Sequence, residues 1–299
     1  MGDILIIGTV ALDTIKTPFG KVNKALGGSA TYASFAASFF AKPSILSIVG
    51  DDFPKDYLEL LKKRGINLDG LQISGKTFHW EGFYEFDMNE AKTKKTELNS
   101  LAEFKLKMPE SYRNIDCVFL ANIDPDLQLE TLKKIKNPKF VVMDTMNFWI
   151  SSKKNSLLEV IKKSDVVLLN DGEARQLFNT VSLVKAAKSA LNLGPKAVII
   201  KKGEHGALLF TKDKHFSAPG YPLEEIKDPT GCGDCFGGAF IGYIAKTNDL
   251  SESNLRKAII YGSVVASYNA EDFGLNRLKT LTMNDIQERY SEFKEIREF

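Results

Sequence analysis

The chain has 299 residues, 43% of them hydrophobic and 26% charged, which is the composition of an ordinary globular protein with enough apolar material for a sizeable core. Forty Lys and Arg against 38 Asp and Glu leave a formal charge of +2, so the clustered basic excess of a nucleic-acid surface is missing and an anionic ligand has to be held by local geometry. Three cysteines, Cys117, Cys232 and Cys235, make no disulfide framework and point to a reducing, cytoplasmic compartment; no apolar run reaches the roughly 18 to 20 residues of a membrane span.

In chain order, Met1-Gly2-Asp3 opens like a myristoylation signal, but Ile6 stands where Ser or Thr is needed, and residues 4–7 read as a buried strand, too short for a signal peptide. Further short apolar runs at 45–49, 118–121, 140–143, 166–169 and 197–200 suit strands buried on both faces. Apolar residues at three- and four-residue spacing predict helices over 55–64, 127–136 and 156–163. This alternation predicts an α/β fold with a doubly wound, mostly parallel sheet and helices on both faces.

One segment breaks the rhythm. Over 77–87, Phe78, Trp80, Tyr84 and Phe86 alternate with His79, Glu81, Glu85 and Asp87, the period of a half-exposed antiparallel strand. With 14–23 and the remainder of 72–100 it predicts a small second sheet, either packed on the main domain, closing as a lid over a ligand, or pairing with a second subunit in a homodimer. There is no repeat, low-complexity tract or Pro/Gly/Ser-rich linker, so residues 1–299 read as one domain, closed by a charged amphipathic helix over 284–299.

The densest chemical cluster is Asp228-Pro229-Thr230-Gly231-Cys232-Gly233-Asp234-Cys235-Phe236-Gly237-Gly238. Phe236, Phe240, Tyr243 and Ile244 follow at helical spacing, so the turn opens a buried helix whose first N–H groups make an anion site, with glycines leaving room for a phosphate. A carboxylate in such a cradle repels phosphate unless it has a task. Asp234 reads as the general base that takes a proton from an attacking hydroxyl, with capping of the first turn as the alternative. The helix N-terminus is also expected to lower the Cys232 thiol pKa. No G-x-x-x-x-G-K-[ST] is present, and Phe236 stands where a dinucleotide fingerprint needs glycine, so P-loop and Rossmann enzymes are excluded. Cys232 and Cys235 lack both a thioredoxin-like context and the two further ligands of a zinc site, and the three histidines join no nucleophile motif.

This cluster resembles the C-terminal signature D-T-x-G-A-G-D of the PfkB carbohydrate kinase family, also called ribokinase-like, with Pro229 extra and Cys232 in place of the usual Ala. Other parts of the family pattern follow in the family's order. Gly27-Gly28-Ser29-Ala30, heading a small-residue helix over 31–41, is similar to the double-glycine signature, and Asp13, after the first strand, to the acceptor of sugar hydroxyl bonds. Asn170-Asp171-Gly172-Glu173 resembles the N-x-x-E element, and Lys202-Gly203-Glu204-His205-Gly206 the nucleotide-side G-x-x-G turn.

The resemblance implies a ribokinase-like fold with a small β lid and an ATP- and Mg²⁺-dependent phosphotransferase. Asp234 would be the base, and the N–H groups of Gly231, Cys232 and Gly233 the anion hole. Asp13, at the carboxyl edge of a parallel strand, would hold the acceptor with Gly27, Gly28, Tyr32, Asn122 and Asn147. Asn170, Glu173, Lys202, Gly203 and Gly206 would serve the nucleotide, Glu173 through a magnesium-bound water, and Asp228 with Thr230 a monovalent cation such as K⁺, as in some members. Each keeps a plainer use: a helix cap for the glycines, a turn for Asp13, the helix dipole for Glu173. Tyr32 departs from the family's frequent Asn, and Asp144-Thr145-Met146-Asn147-Phe148-Trp149 echoes D-x-N-x-R without the arginine, which disfavours an acceptor bearing a carboxylate or phosphate. Asn122, Asp124, Asp144 and Asn147, all just after strands, are expected to read hydroxyls or to form turns. A sugar is the first acceptor reading, a nucleoside stacked by the aromatic lid the second, and a non-catalytic ligand-binding member the third.

Overall fold

The four apolar residues 4–7 are wholly buried and form the body of the first strand, each contributing about 1.5–3 kcal/mol relative to an exposed position. The structure is a computed structural model that describes residues 2–298. Its elements are β1 (Asp3–Ile7), β2 (Ala11–Thr17), β3 (Gly20–Gly27), α1 (Ser29–Ala37), β4 (Lys42–Val49), α2 (Lys55–Lys63), β5 (Asn67–Ile73), β6 (His79–Tyr84), β7 (Ala91–Glu97), β8 (Cys117–Leu120), α3 (Pro125–Lys134), β9 (Phe140–Met143), α4 (Asn147–Ser152) and α5 (Lys154–Lys162). They continue with β10 (Val166–Asn170), α6 (Asp171–Phe178), α7 (Leu183–Leu191), β11 (Ala197–Lys201), β12 (Ala207–Thr211), β13 (His215–Ala218), α8 (Cys232–Thr247), α9 (Glu252–Ala270), α10 (Asn276–Thr280) and α11 (Met283–Glu295).

The main sheet has nine strands in the order β13-β12-β11-β10-β9-β8-β1-β4-β5. From β11 to β5 every pairing is parallel; β12 and β13 add an antiparallel edge. Alternate residues of the central strands feed two separate cores. Ile4, Ile6, Phe119 and Leu168 pack with α1, α8 and α9; Leu5, Ile7, Leu120 and Leu169 pack on the other face with residues of α5, α6 and α7. Burial on both faces is why these strands read as unbroken apolar runs. Each of the six expected strands is present, the longest extension being three residues at the start of β4, where Lys42-Pro43-Ser44 hid it.

Helices α1 and α8 lie against each other backbone to backbone and run the same way. A Cβ on Gly238 would fall 2.1 Å from the Ala33 carbonyl oxygen, and one on Gly242 3.1 Å from Ala37. Their first turns are level, Gly231 packing on Tyr32, and α1 is anchored to the end of β1 because the Ala30 N–H donates to the Thr9 carbonyl. Helix α1 begins at Ser29 and ends at Ala37, earlier at both ends than the expected 31–41.

The small sheet has the order β3-β2-β6-β7, with β2 and β6 parallel and the outer pairs antiparallel. It uses the segments expected for the lid. The simple alternation of 77–87 does not survive, because a register shift between Glu81 and Gly82 turns the strand, and Phe86 lies beyond its end, 86% exposed. The closing helix α11 buries Ile286 and Phe293; residues 1 and 299, the ends assigned to the single domain and to this helix, lie outside the described residues. Among the described residues no helix is long and apolar enough to cross a membrane.

Candidate active site

Loops leaving the carboxyl ends of β1, β8, β9, β10 and β11 meet the first turns of α1 and α8, the edge where open α/β sheets bind ligands. The turn before α8 is shaped by its protein neighbours. Gly231 has φ +78°, and a Cβ there would lie 2.4 Å from the Tyr32 ring, so glycine is needed to seat the turn on α1 as much as to admit a ligand. Cys232 N–H donates to the Pro229 carbonyl at 3.1 Å, which corrects its expected place in the anion hole. Among the described residues of this turn, the N–H groups left without a partner are those of Gly231, Gly233 and Asp234.

The Asp234 carboxylate accepts no hydrogen bond among the described residues and makes no capping bond. The residue is half-buried. Burial and the neighbouring Asp144 push its pKa up to about 7, and Lys201 opposes the rise. A carboxylate free of protein partners and poised near neutrality has the properties of a general base.

Asp228 is completely buried. Its oxygens accept the Thr230 N–H at 2.9 Å and the Gly274 N–H at 3.1 Å, and burial raises its pKa. The Thr230 hydroxyl donates to Tyr84 Oη of the lid strand at 3.2 Å, and its carbonyl accepts from Asn269 Nδ2. These two residues therefore hold the turn and tie the lid to it.

Asp13 sits within β2 of the small sheet, not at the edge of a parallel strand as expected, because the chain enters the lid directly after β1. Its Oδ2 accepts the Gly28 N–H at 3.3 Å, and a Cβ on Gly27 would lie 1.9 Å from that oxygen, so the first glycine makes room for the carboxylate. Burial pushes Asp13 up to about 7 against the Gly28 bond, with Asp228 and Asp234 adding to the rise. Tyr32 is buried, and its hydroxyl has no partner among the described residues. Asn122 accepts from Trp149 Nε1 at 3.0 Å through its side chain and from the Ser29 hydroxyl at 2.8 Å through its carbonyl. Asn147 is the exposed first residue of α4, next to Phe148, which is 56% exposed with its ring edge-on to Trp149 at 4.8 Å.

In the segment expected to serve the nucleotide, Asn170 and Glu173 form a reciprocal cap of α6. The Glu173 N–H donates to Asn170 Oδ1 at 2.7 Å, and the Glu173 carboxylate accepts from the Asn170 N–H at 2.7 Å and from its Nδ2 at 2.8 Å. Burial and Asp144 push Glu173 up to about 8. Both its oxygens have a protein partner, and no group of three acidic, His or Cys side chains among the described residues is arranged to hold a metal. The donors present fit contact with a hydrated divalent ion through water. Lys202, Gly203 and Gly206 build the tight turn from β11 to β12, closed by the Lys202 N–H to the Gly206 carbonyl at 2.7 Å.

Two expectations about polar strand ends change. Asp124 caps α3 and pairs with Lys153. Asp144 is held within the protein: its Oδ2 pairs with Lys201 Nζ at 2.5 Å and its Oδ1 accepts the Thr145 N–H. Lys201 was not among the expected site residues, although a charged residue closing the buried run 197–200 is an available signal.

Cys232 also corrects the expected reactivity. Its Sγ lies 3.4 Å from the Ala266 carbonyl, and burial, with Asp228 and Asp234 nearby, pushes the thiol up to about 12. Burial likewise raises Cys117 to about 11 and Cys235 well above the usual range. Labelling with a disulfide reagent at pH 7.5 should therefore be slow at all three thiols of the native protein and rapid in denaturant. A fast-reacting equivalent in the native state would contradict the raised pKa values of these thiols.

The family model described as pfkB family carbohydrate kinase matches residues 3–281. The chain is a PfkB family kinase. Among relatives of this PfkB kinase, a cytidine kinase of Thermococcus kodakarensis is 30% identical over 258 residues, 84% of this chain and 92% of the relative. A nucleoside kinase of Methanocaldococcus jannaschii is 26% identical over 288 residues, 92% of each chain; its crystal structure superimposes with a TM-score of 0.78 over 98% of the PfkB kinase and 99% of the solved chain. The Burkholderia thailandensis nucleoside kinase in complex with inosine gives 0.79 at 19% identity, over 97% of each chain, which is a likeness of fold. The PfkB kinase is thus a phosphotransferase with a hydroxyl acceptor on the ribokinase fold.

Proposed function

We propose that this kinase phosphorylates a hydroxyl on the sugar of a nucleoside, with ATP as donor. The observation that carries the reading is an aromatic pair tied to the Asp13 side of the site: Trp149 is fixed by Asn122, whose carbonyl holds Ser29 next to the Gly28 that binds Asp13, and Phe148 beside it is 56% exposed, a ring on which a base can stack. Relatives named cytidine kinase and nucleoside kinase agree with it. Among the lid aromatics, Tyr84 is tied to Thr230, Trp80 to Thr93, and Phe86 lies 86% exposed beyond its strand, so they are less suited to stack a base.

Asp13 receives the sugar hydroxyls. Asp234 takes the proton of the attacking hydroxyl as its oxygen bonds to the γ-phosphorus and the bond to the bridging oxygen breaks, releasing ADP. The N–H groups of Gly231, Gly233 and Asp234 face the charge that grows on the transferred group. Glu173 would meet magnesium through a water, and the ion would supply charge that screens the phosphates. A monovalent cation near Asp228 and Thr230 would further steady the turn.

A free sugar is the second reading, favoured by Asp13, whose hydroxyl bonding serves either class. Coupled ADP release over cytidine, uridine, adenosine, inosine, ribose and fructose separates the two. The nucleoside reading expects one nucleoside to exceed ribose by about 10²-fold or more in kcat/KM, because a base platform adds a stacking contribution that ribose cannot use. Ribose or fructose turning over best would overturn it.

A further inference from the structure

Lys201 closes β11, and its ammonium is largely buried, at 16% side-chain exposure, against Asp144 at 4%. The pair is held from both sides. Asp144 is fixed by the Thr145 N–H, and its carbonyl accepts from the buried Gln128 Nε2. An ammonium has three N–H donors, and Lys201 uses one, on Asp144 Oδ2; the other two have no partner among the described residues. The ammonium lies against the turn that opens α8: a Cβ on Gly233 would sit 3.2 Å from Lys201 Nζ. The unpartnered Gly233 N–H thus belongs to a residue that lies against the ammonium. Carboxylates crowd the same place, since Asp234 and Glu173 both feel the Lys201 charge.

A buried ion pair that served only stability would be a poor choice, because desolvating two charges offsets most of their attraction and apolar residues of similar size do as well. A buried cation with spare donors beside an N–H cradle serves an anion. We propose that Lys201 contacts a non-bridging oxygen of the transferred γ-phosphoryl group alongside the Gly233 N–H, and that Asp144 positions the ammonium for this contact. The charge is then preorganised where negative charge is passed from acceptor to ADP, at the carboxyl end of the last parallel strand, β11. This rests on phosphoryl transfer at the α8 turn and is independent of the acceptor class.

The test compares a non-hydrolysable ATP analogue with ADP, each with magnesium and without acceptor, on the native protein, Lys201→Arg, Lys201→Met and the double variant Lys201→Met with Asp144→Asn. The expected result is a rise of about tenfold in the ratio of analogue Kd to ADP Kd in both Lys201→Met proteins, with Lys201→Arg within about threefold of native, since only the analogue presents a γ-phosphate. Turnover with the acceptor found by the screen should fall about 10- to 100-fold in both Lys201→Met proteins. Lys201→Met alone leaves Asp144 buried and unpaired; if it fails to fold, the double variant, which removes both charges, carries the test. A purely structural pair predicts that the double variant regains the native ratio and turnover. That result, or an unchanged ratio in the single variant, overturns the assignment. Retained turnover in an Asp234 variant would bear on the base and leave this result standing.

Discussion

Asp234→Asn should lower kcat by ~10²–10⁴, about 3 to 5 kcal/mol of barrier, while nucleotide affinity stays the same or tightens. Asparagine keeps the size of the side chain but does not take up the hydroxyl proton at neutral pH, and it removes a negative charge from the cradle. Asp234 makes no capping bond, so the substitution should leave the melting temperature close to native. The pH profile supplies a second check. Burial and Asp144 hold Asp234 near 7 against the pull of Lys201, and a base works only when deprotonated, so kcat of the native enzyme should climb about tenfold per pH unit below neutrality and level off above about 7. Near-native turnover of the variant, or a native profile flat from pH 5 to 8, would sink the assignment.

Asp13→Ala should lower kcat/KM for the acceptor by ~10²–10³, about 3 to 4 kcal/mol, the loss expected from two hydroxyl bonds to a carboxylate at ~1.5–2 kcal/mol each. The KM for ATP should hardly move, because Asp13 lies on β2 of the lid sheet, at the Gly27-Gly28 turn rather than at the β10 and β11 loops. The variant also leaves the Gly28 N–H without its partner, at a cost of ~1–3 kcal/mol. Melting temperature and ATP KM measured on the same protein separate that loss from the loss of acceptor contact. A rise confined to the ATP KM would mean that acceptor and nucleotide sides are exchanged.

The main sheet was legible in the sequence because its central strands are buried on both faces and appear as unbroken apolar runs, and the α8 turn because its glycines and carboxylate sit within seven residues. Strands β5, β12 and β13 were not foreseen. Polar residues and Gly70 interrupt β5 at the sheet edge, and β12 and β13 form an antiparallel edge where no helix intervenes to mark them. Position on the lid was not readable for Asp13, since the chain switches sheets within three residues of β1. The Lys201–Asp144 pair joins residues 57 apart, and the Cys232 environment is made by α9, so no local pattern carries either. The thiol was misjudged because the helix N-terminus argues for a low pKa, and burial beside carboxylates outweighs it.

The level first turns of α1 and α8 bear on how nucleotide reaches the enzyme. Each helix end carries about half a positive charge, fixed in the backbone and felt over roughly one turn. The side-chain charges of the whole chain nearly cancel, at +2. Attraction for a polyanion is therefore short in range, well inside the ~8–10 Å over which physiological salt screens exposed charges. Capture of ATP should accordingly proceed without long-range guidance, at a rate that changes little between dilute buffer and cellular ionic strength, because the field that matters lies where salt does not enter.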